Sequence, residues 1–537
     1  MKRFERCFTL VLIIMGISLF MYGCSGSSSS SVSTTNVTGT VFAGPAANAS
    51  VTVKNASGRV VAGPVITAVD GSYSIDIPTS ALAEELVFEA TGGSYTDEAT
   101  ATGTTLGTFT AHVPAGSLTA ATNVTVDPSS TIIQKLVAGG KTRGAAEAAF
   151  STAFGYTPDS TVRPAFANQS SASTSAQRLA GLRAAAFSQL TKELLNDPAK
   201  QAELLNALAD DLSDGALDGV KGGGTAVVTA SGTTIPTDIG NRFARAMMTF
   251  QTSDLNKSRL PMDKIGALPF VKKALTDSYL VEYLPGTMVA ATGKTTFTIR
   301  LTSRSTGTAA SGKAVTLRPY MYMATKSHTT PMETPVDNGD GTYACTVYYV
   351  MSTAMNGVSM GVWELKVSVD GAESAYFYPD VAMAMGSTAL AKLSGVSDAI
   401  MGLAGVEKRT WFLFNDGLSA GMGGTYTFKL FVATKEMGTA LTFPAVKVGD
   451  ALNNEADNPW SVTAMTVEVS TDKTTWLAAT DLGNGHWSVA GLTGLTAGIS
   501  GKMYVRLVVN GEQKTTDGIA AAGANGYQTF TVTPGGM

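Results

Sequence analysis

GKTTFTIRL (residues 293–301) returns at an offset of 131 as GTYTFKLFV (residues 424–432). Both stretches alternate apolar and polar side chains at period two, with Phe297, Ile299 and Leu301 on one face and Phe428, Leu430 and Val432 on the other copy's equivalent face. That is the pattern of a strand with one side in a core. The match continues in order. GTA at 307–309 pairs with GTA at 438–440, DGTYACTV (340–347) with NGHWSVAG (484–491), and WELKVSVDG (363–371) with MYVRLVVNG (503–511). Several strands repeated in one order indicate a duplicated supersecondary unit. The reading is two tandem antiparallel β-sandwiches, residues 280–386 and 406–537. The connection, 387–405, is expected to hold a short helix over Leu390–Leu403. Trp363, Trp411, Trp476 and Trp487 are expected as core or inter-sheet aromatics.

Upstream the period changes twice. Residues 36–127 again alternate: Val51 and Val53 share a face, as do Tyr73, Ile75 and Ile77, and Asp70-Gly71 is a turn dipeptide. Residues 128–279 are rich in alanine and leucine. Leu179, Leu182, Ala186, Leu190 and Leu194 recur at helical spacing, and Leu205, Leu208 and Leu212 resume it after Pro198. Ser129-Ser130-Thr131 and Asp197-Pro198 are helix-start signals. The fold class is therefore multidomain and mainly β, with antiparallel β-sandwiches and an α-helical segment between the first and second sandwich.

The N-terminal end reads as an address. Lys2, Arg3 and Arg6 precede the apolar run Cys7–Phe20, which is too short for a stable membrane span and suits a signal-peptide core over residues 1–23. Residues 24–35 are Ser/Gly/Thr-rich and form a tether. Removing residues 1–23 takes away three basic and one acidic side chain, which moves the formal charge from −4 to −6. That mild acidity excludes a nucleic-acid footprint. Only Cys24 and Cys345 remain after processing, so with Cys24 acylated no intramolecular disulfide is available and stability must come from cores.

Four resemblances add to this. Met21-Tyr22-Gly23-Cys24 resembles the bacterial lipobox, with Tyr22 bulkier than usual. It implies a lipid on Cys24, a membrane partner through that anchor, and, with Ser25 following, the outer membrane of the cell envelope. VTGTV, ANASVTVKNASGRVV and TAVDGSYSIDIP resemble the carboxypeptidase regulatory-like (transthyretin-like) sandwich, a structural or binding module, and VDPSST (126–131) resembles a helical segment of bacterial surface lipoproteins. Residues 280–386 resemble the YtkA-like or FixH-like β-sandwich through Met323, His328, Pro331, Gly341, Tyr343, Met355, Met360, Gly361, Trp363 and Leu365. Relatives of that last domain occur in copper-handling contexts.

Chemistry-bearing motifs are few. Gly357-Val-Ser-Met-Gly361 and Gly417-Leu-Ser-Ala-Gly421 spell G-x-S-x-G, but each precedes a strand where a nucleophile elbow needs a helix. AGGKTRG (138–144) lacks the first glycine of a phosphate loop. Asp210, Asp211, Asp214 and Asp218 miss the EF-hand spacing. Eight of the 21 methionines lie between Met321 and Met385, and Met321, Met323, His328 and Met332 fall within twelve residues. Thioether and imidazole ligands suit Cu(I), so these four are the candidate metal ligands and copper is the one cofactor the pattern suggests. Methionine also fills irregular β cores and packs on aromatics. The function expected is a non-enzymatic, lipid-anchored envelope protein that binds or scaffolds, with an envelope protein or a carbohydrate as partner. The alternative is an extracytoplasmic copper-binding protein.

Overall fold

The computed structural model describes residues 33–535 except 121, 386–387, 403–404, 439 and 454–459. Cys24 and the expected signal segment lie outside the described residues. The protein is mainly β and multidomain, with its helices gathered between the first and second sandwich.

The first sandwich closes a three-stranded sheet (Ser72–Pro78, Thr34–Val41, Asn123–Val126) on a four-stranded one (Val60–Ile66, Ser50–Asn55, Leu86–Thr91, Phe109–Val113). Val51, Val53, Tyr73, Ile75 and Ile77 are all buried, as period-two burial requires. Strand Asn123–Val126 leads directly into helix Pro128–Ala138. Asp127 starts that helix: its carboxylate accepts the Ser130 N–H, and the Ser130 hydroxyl accepts the Asp127 N–H. Pro128 holds the first helical position, where no N–H is needed. Helices Arg143–Phe154, Ser175–Leu195, Gln201–Asp211 and Ile239–Gln251 follow, and they share one hydrophobic core with the sandwich. Polar contacts join the two layers. The Ser188 hydroxyl donates to Asp97 (2.5 Å) and accepts the Ala99 N–H (2.9 Å), while Lys192 donates to the Ala99 carbonyl (2.9 Å).

The second sandwich has a five-stranded sheet in the order Lys273–Leu275, Tyr279–Pro285, Gly293–Ser303, Thr342–Tyr349, Val336–Asp337. It thus begins inside the stretch expected to be helical, because Lys273–Leu275 pairs with Leu280–Glu282 and closes the sheet edge. Its other sheet has six strands: Glu373–Phe377, Gly361–Val369, Val315–Met323, His328–Thr329, Leu441–Thr442 and Glu436–Met437. The last two belong to the third sandwich, so one sheet runs across both. The third sandwich packs Leu390–Gly402, Gly405–Ala420, Tyr426–Thr434, His486–Leu492 and Thr480–Gly483 against Leu477–Ala478, Met465–Ser470, Gly501–Val509, Glu512–Gln513 and Gln528–Val532.

The repeat extends to register. Ile299 stands opposite Tyr343, and its counterpart Leu430 stands opposite Trp487. Leu317 faces Val367 as Val467 faces Leu507. Two expectations are corrected. Leu390–Gly402 is a strand paired with Gly405–Ala420, where a linker helix was expected. Long-range pairing overrides the local pattern there, and Asp398 sits in the bulge of that ladder. Its carboxylate meets Arg409 (2.8 Å), Lys514 (3.2 Å) and the Trp411 indole N–H (3.0 Å), and both cationic side chains are fully buried. Unpaired, such charges would be strongly destabilising. Trp476, expected in a core, lies half-buried under the Arg506 guanidinium, 3.6 Å from its ring centre. Trp363, Trp411 and Trp487 are buried.

Candidate functional site

The methionine–histidine stretch lies where the second sandwich meets the third. The chain reverses over Ala324–Ser327, with the Ser327 hydroxyl accepting the Met323 N–H (3.2 Å), and this sets His328 opposite Met321. Met321 also faces Trp363, and His328 faces Leu441, so Trp363, Met321, His328 and Leu441 form one row across four strands. Met321 is 0% exposed and His328 2% exposed. The His328 Nδ1 lies 2.7 Å from the Thr329 carbonyl oxygen and donates to it, which leaves Nε2 as the unprotonated nitrogen. That Nε2 is buried without a partner. Burial holds the imidazole pKa below its usual value. The ring sits edge-on to Trp363 (5.5 Å) and Phe443 (5.3 Å). Met323, two residues beyond Met321, is half-buried against the same core. Met332 is 44% exposed and lines a separate cavity of about 280 Å³ with Arg318, Thr329 and Pro444. The structure therefore brings Met321 and His328 together and sets Met332 apart.

Four other methionines do converge. Met351, Met355, Met360 and Met383 line a cavity of about 450 Å³ closed by Leu390 and Lys392 of the third sandwich. Thioether side chains make such a wall adaptable and polarisable. Ser359, the serine of one G-x-S-x-G match, sits in a two-residue strand followed by strand Gly361–Val369, so no nucleophile elbow forms. Asp211, one of the four aspartates that miss the EF-hand spacing, accepts the Gly219 N–H (3.0 Å) and acts as a turn brace.

A polar cluster crosses the same junction. Glu333, Asp416 and His486 each offer one ligand atom, and these atoms lie within 4.8 Å of one another. The His486 Nδ1 is 3.2 Å from Asp416 Oδ2, and its Nε2 is 3.9 Å from Glu333 Oε1. The fully buried Tyr348 brings its hydroxyl to Glu333 Oε1 (2.6 Å) and Asp416 Oδ1 (2.7 Å). Lys294 pairs with Asp416 Oδ1 at 2.7 Å. Burial opposes ionisation of Asp416, but hydrogen bonds from His486, Lys294 and Tyr348 overcome it and bring its pKa to about 2. Burial, then Glu333 and Asp416, pushes the Tyr348 phenol far upward, so it stays protonated. Tyr348 stacks on Phe431, with ring centres 4.1 Å apart. The backbone explains how Asp416 arrives there: the ladder of strand Gly405–Ala420 shifts between Asn415 and Gly417, and such a bulge re-aims a side chain. His486 lies in the repeated strand NGHWSVAG with no ligand residue beside it in sequence. Its partners come from distant segments, and no local motif marks them.

The fold and this junction define a multidomain antiparallel β-sandwich protein with a helical insert. The chain matches no family model and no curated protein. Among solved structures it is similar to the Escherichia coli adhesin FdeC, at 16% identity and a TM-score of 0.14, covering 50% of this chain and 67% of that one. It is similar to domains 5–6 of the S-layer protein SbsC at 13% identity and a TM-score of 0.15, covering 49% and 98%. An endo-fucoidan hydrolase of glycoside hydrolase family 107 shows 12% identity and a TM-score of 0.13, covering 47% and 28%.

Proposed function

We propose that the chain is a non-enzymatic scaffold or binding module of the cell envelope, lipid-anchored through Cys24 at the outer membrane. An envelope protein or a carbohydrate is the partner this reading calls for. The observation that favours it most is the sheet shared by the second and third sandwiches, which joins His328 to Leu441. A continuous sheet resists bending, which suits a body that must hold a surface at a set distance from its tether. The carboxypeptidase regulatory-like and YtkA-like assignments belong to this reading. Its test is the anchor: Cys24→Ala should release the protein from membranes or block its processing. An unlipidated wild-type N-terminus by mass spectrometry would exclude it.

One observation favours copper as a second reading: the buried, unpartnered Nε2 of His328 beside Met321. Cu(I) titration under reducing conditions tests it. Tight binding lost in His328→Ala supports the site, and binding unchanged in that variant rejects it.

A further inference from the structure

We propose that Glu333, Asp416 and His486 form a binding site for a divalent cation of the zinc class, which cross-links the second and third sandwiches. Two carboxylates and an imidazole are an oxygen–nitrogen donor set that suits such an ion. Metal–ligand bonds of ~2.0–2.1 Å place neighbouring ligand atoms of a tetrahedral site about 3.3 Å apart. The Asp416 Oδ2–His486 Nδ1 separation of 3.2 Å already meets that, and with one ligand atom from each of the three residues all lying within 4.8 Å of one another, a side-chain rotation of Glu333 closes the triad.

A second observation points to a missing positive centre. Tyr348 has one hydroxyl proton, yet carboxylate oxygens of Glu333 and Asp416 lie 2.6 and 2.7 Å from it. One of these contacts can be a hydrogen bond; the other sets two oxygen lone pairs against each other. Lys294 offsets one carboxylate charge, and nothing in the cluster offsets the second. A divalent ion among Glu333, Asp416 and His486 draws electron density from both carboxylates and removes that conflict. Glu333 comes from the second sandwich, Asp416 and His486 from the third, so the ion would fix the angle between them.

Zn²⁺ titration of the metal-free full-length protein, read by calorimetry and by thermal unfolding, tests the site. One equivalent should bind and raise Tm. His486→Ala and Glu333→Gln should each weaken binding at least tenfold. Lys294→Met removes a competing cation and should tighten binding. Should His486→Ala fail to fold, the half-exposed and isosteric Glu333→Gln carries the test. No zinc uptake by the wild type, uptake unchanged in Glu333→Gln, or a preference for Ca²⁺ would overturn the proposal.

Discussion

Glu98 shows what one side chain can impose on the whole protein. It is fully buried; its Oε1 accepts the Gly44 N–H at 3.1 Å, and its Oε2 has no partner. Burial first, and the neighbouring Asp97 carboxylate second, raise its pKa from 4.5 to about 8. The folded state therefore keeps a proton that the unfolded chain releases above pH 4.5. Stability should fall as pH rises from about 4.5 to 8 and level off outside that window, a loss on the order of a few kcal/mol. Glu98→Gln should flatten this slope, and at pH 9 the variant should be the more stable protein. Urea unfolding at pH 5, 7 and 9 measures it, and an unchanged slope would refute the assignment. Met321 gives a second test at this scale. In its fully buried place Met321→Leu nearly conserves volume and should cost under ~1.5 kcal/mol, whereas Met321→Ala leaves a cavity and should cost ~2–5 kcal/mol.

At the scale of elements, the repeated glycines carry different loads. Gly341 and Gly485 occupy equivalent places before the repeated strand, with φ of 82° and 83°. A Cβ on Gly485 would lie 2.6 Å from the Val432 carbonyl oxygen. Gly371 ends another repeated hairpin at φ 68°, but open space surrounds it. Gly371→Ala should cost only the left-handed backbone term, ~1–2 kcal/mol, and Gly485→Ala clearly more. Chemical denaturation of the two variants compares them directly; equal costs would contradict the close approach. The strand Leu390–Gly402 belongs to this scale too: its ladder with Gly405–Ala420 shifts register between Ser394 and Ala399, and Asp398 within that bulge pairs with Arg409 and Lys514.

For the whole molecule, the cores set the cooperative units. The first sandwich and the helices share one core, and the second and third sandwiches share a sheet. Calorimetry should therefore resolve about two transitions, fewer than the four segments seen along the chain. The two halves also touch: Asn241 donates to the Tyr376 carbonyl (2.8 Å), and Asp238 accepts the Leu275 N–H (2.8 Å). A chain of residues 273–537 should fold alone as β structure, while one ending at 385 loses the partner strand of His328 and should be less stable. A helical or disordered circular-dichroism spectrum from 273–537 would contradict this.

Local pattern determined the strands, the helices and the duplication, because period and turn chemistry are written in neighbouring residues. Ile299 and Leu430 could be paired by eye, and their registers agree. Asp197-Pro198 marked a helix start for the same reason: Asp197 accepts the Ala199 N–H, and the turn Pro198–Lys200 leads into helix Gln201–Asp211. Tertiary structure alone decided the rest. Leu390–Gly402 became a strand because its partners lie outside the segment. Met332 left Met321 and His328 because its backbone bridges Val347, and His486 gained Glu333 and Asp416 through packing of the two sandwiches. Those contacts join residues far apart in the chain, and the physics that selects them is the burial of two sheets against each other, which no window of sequence contains.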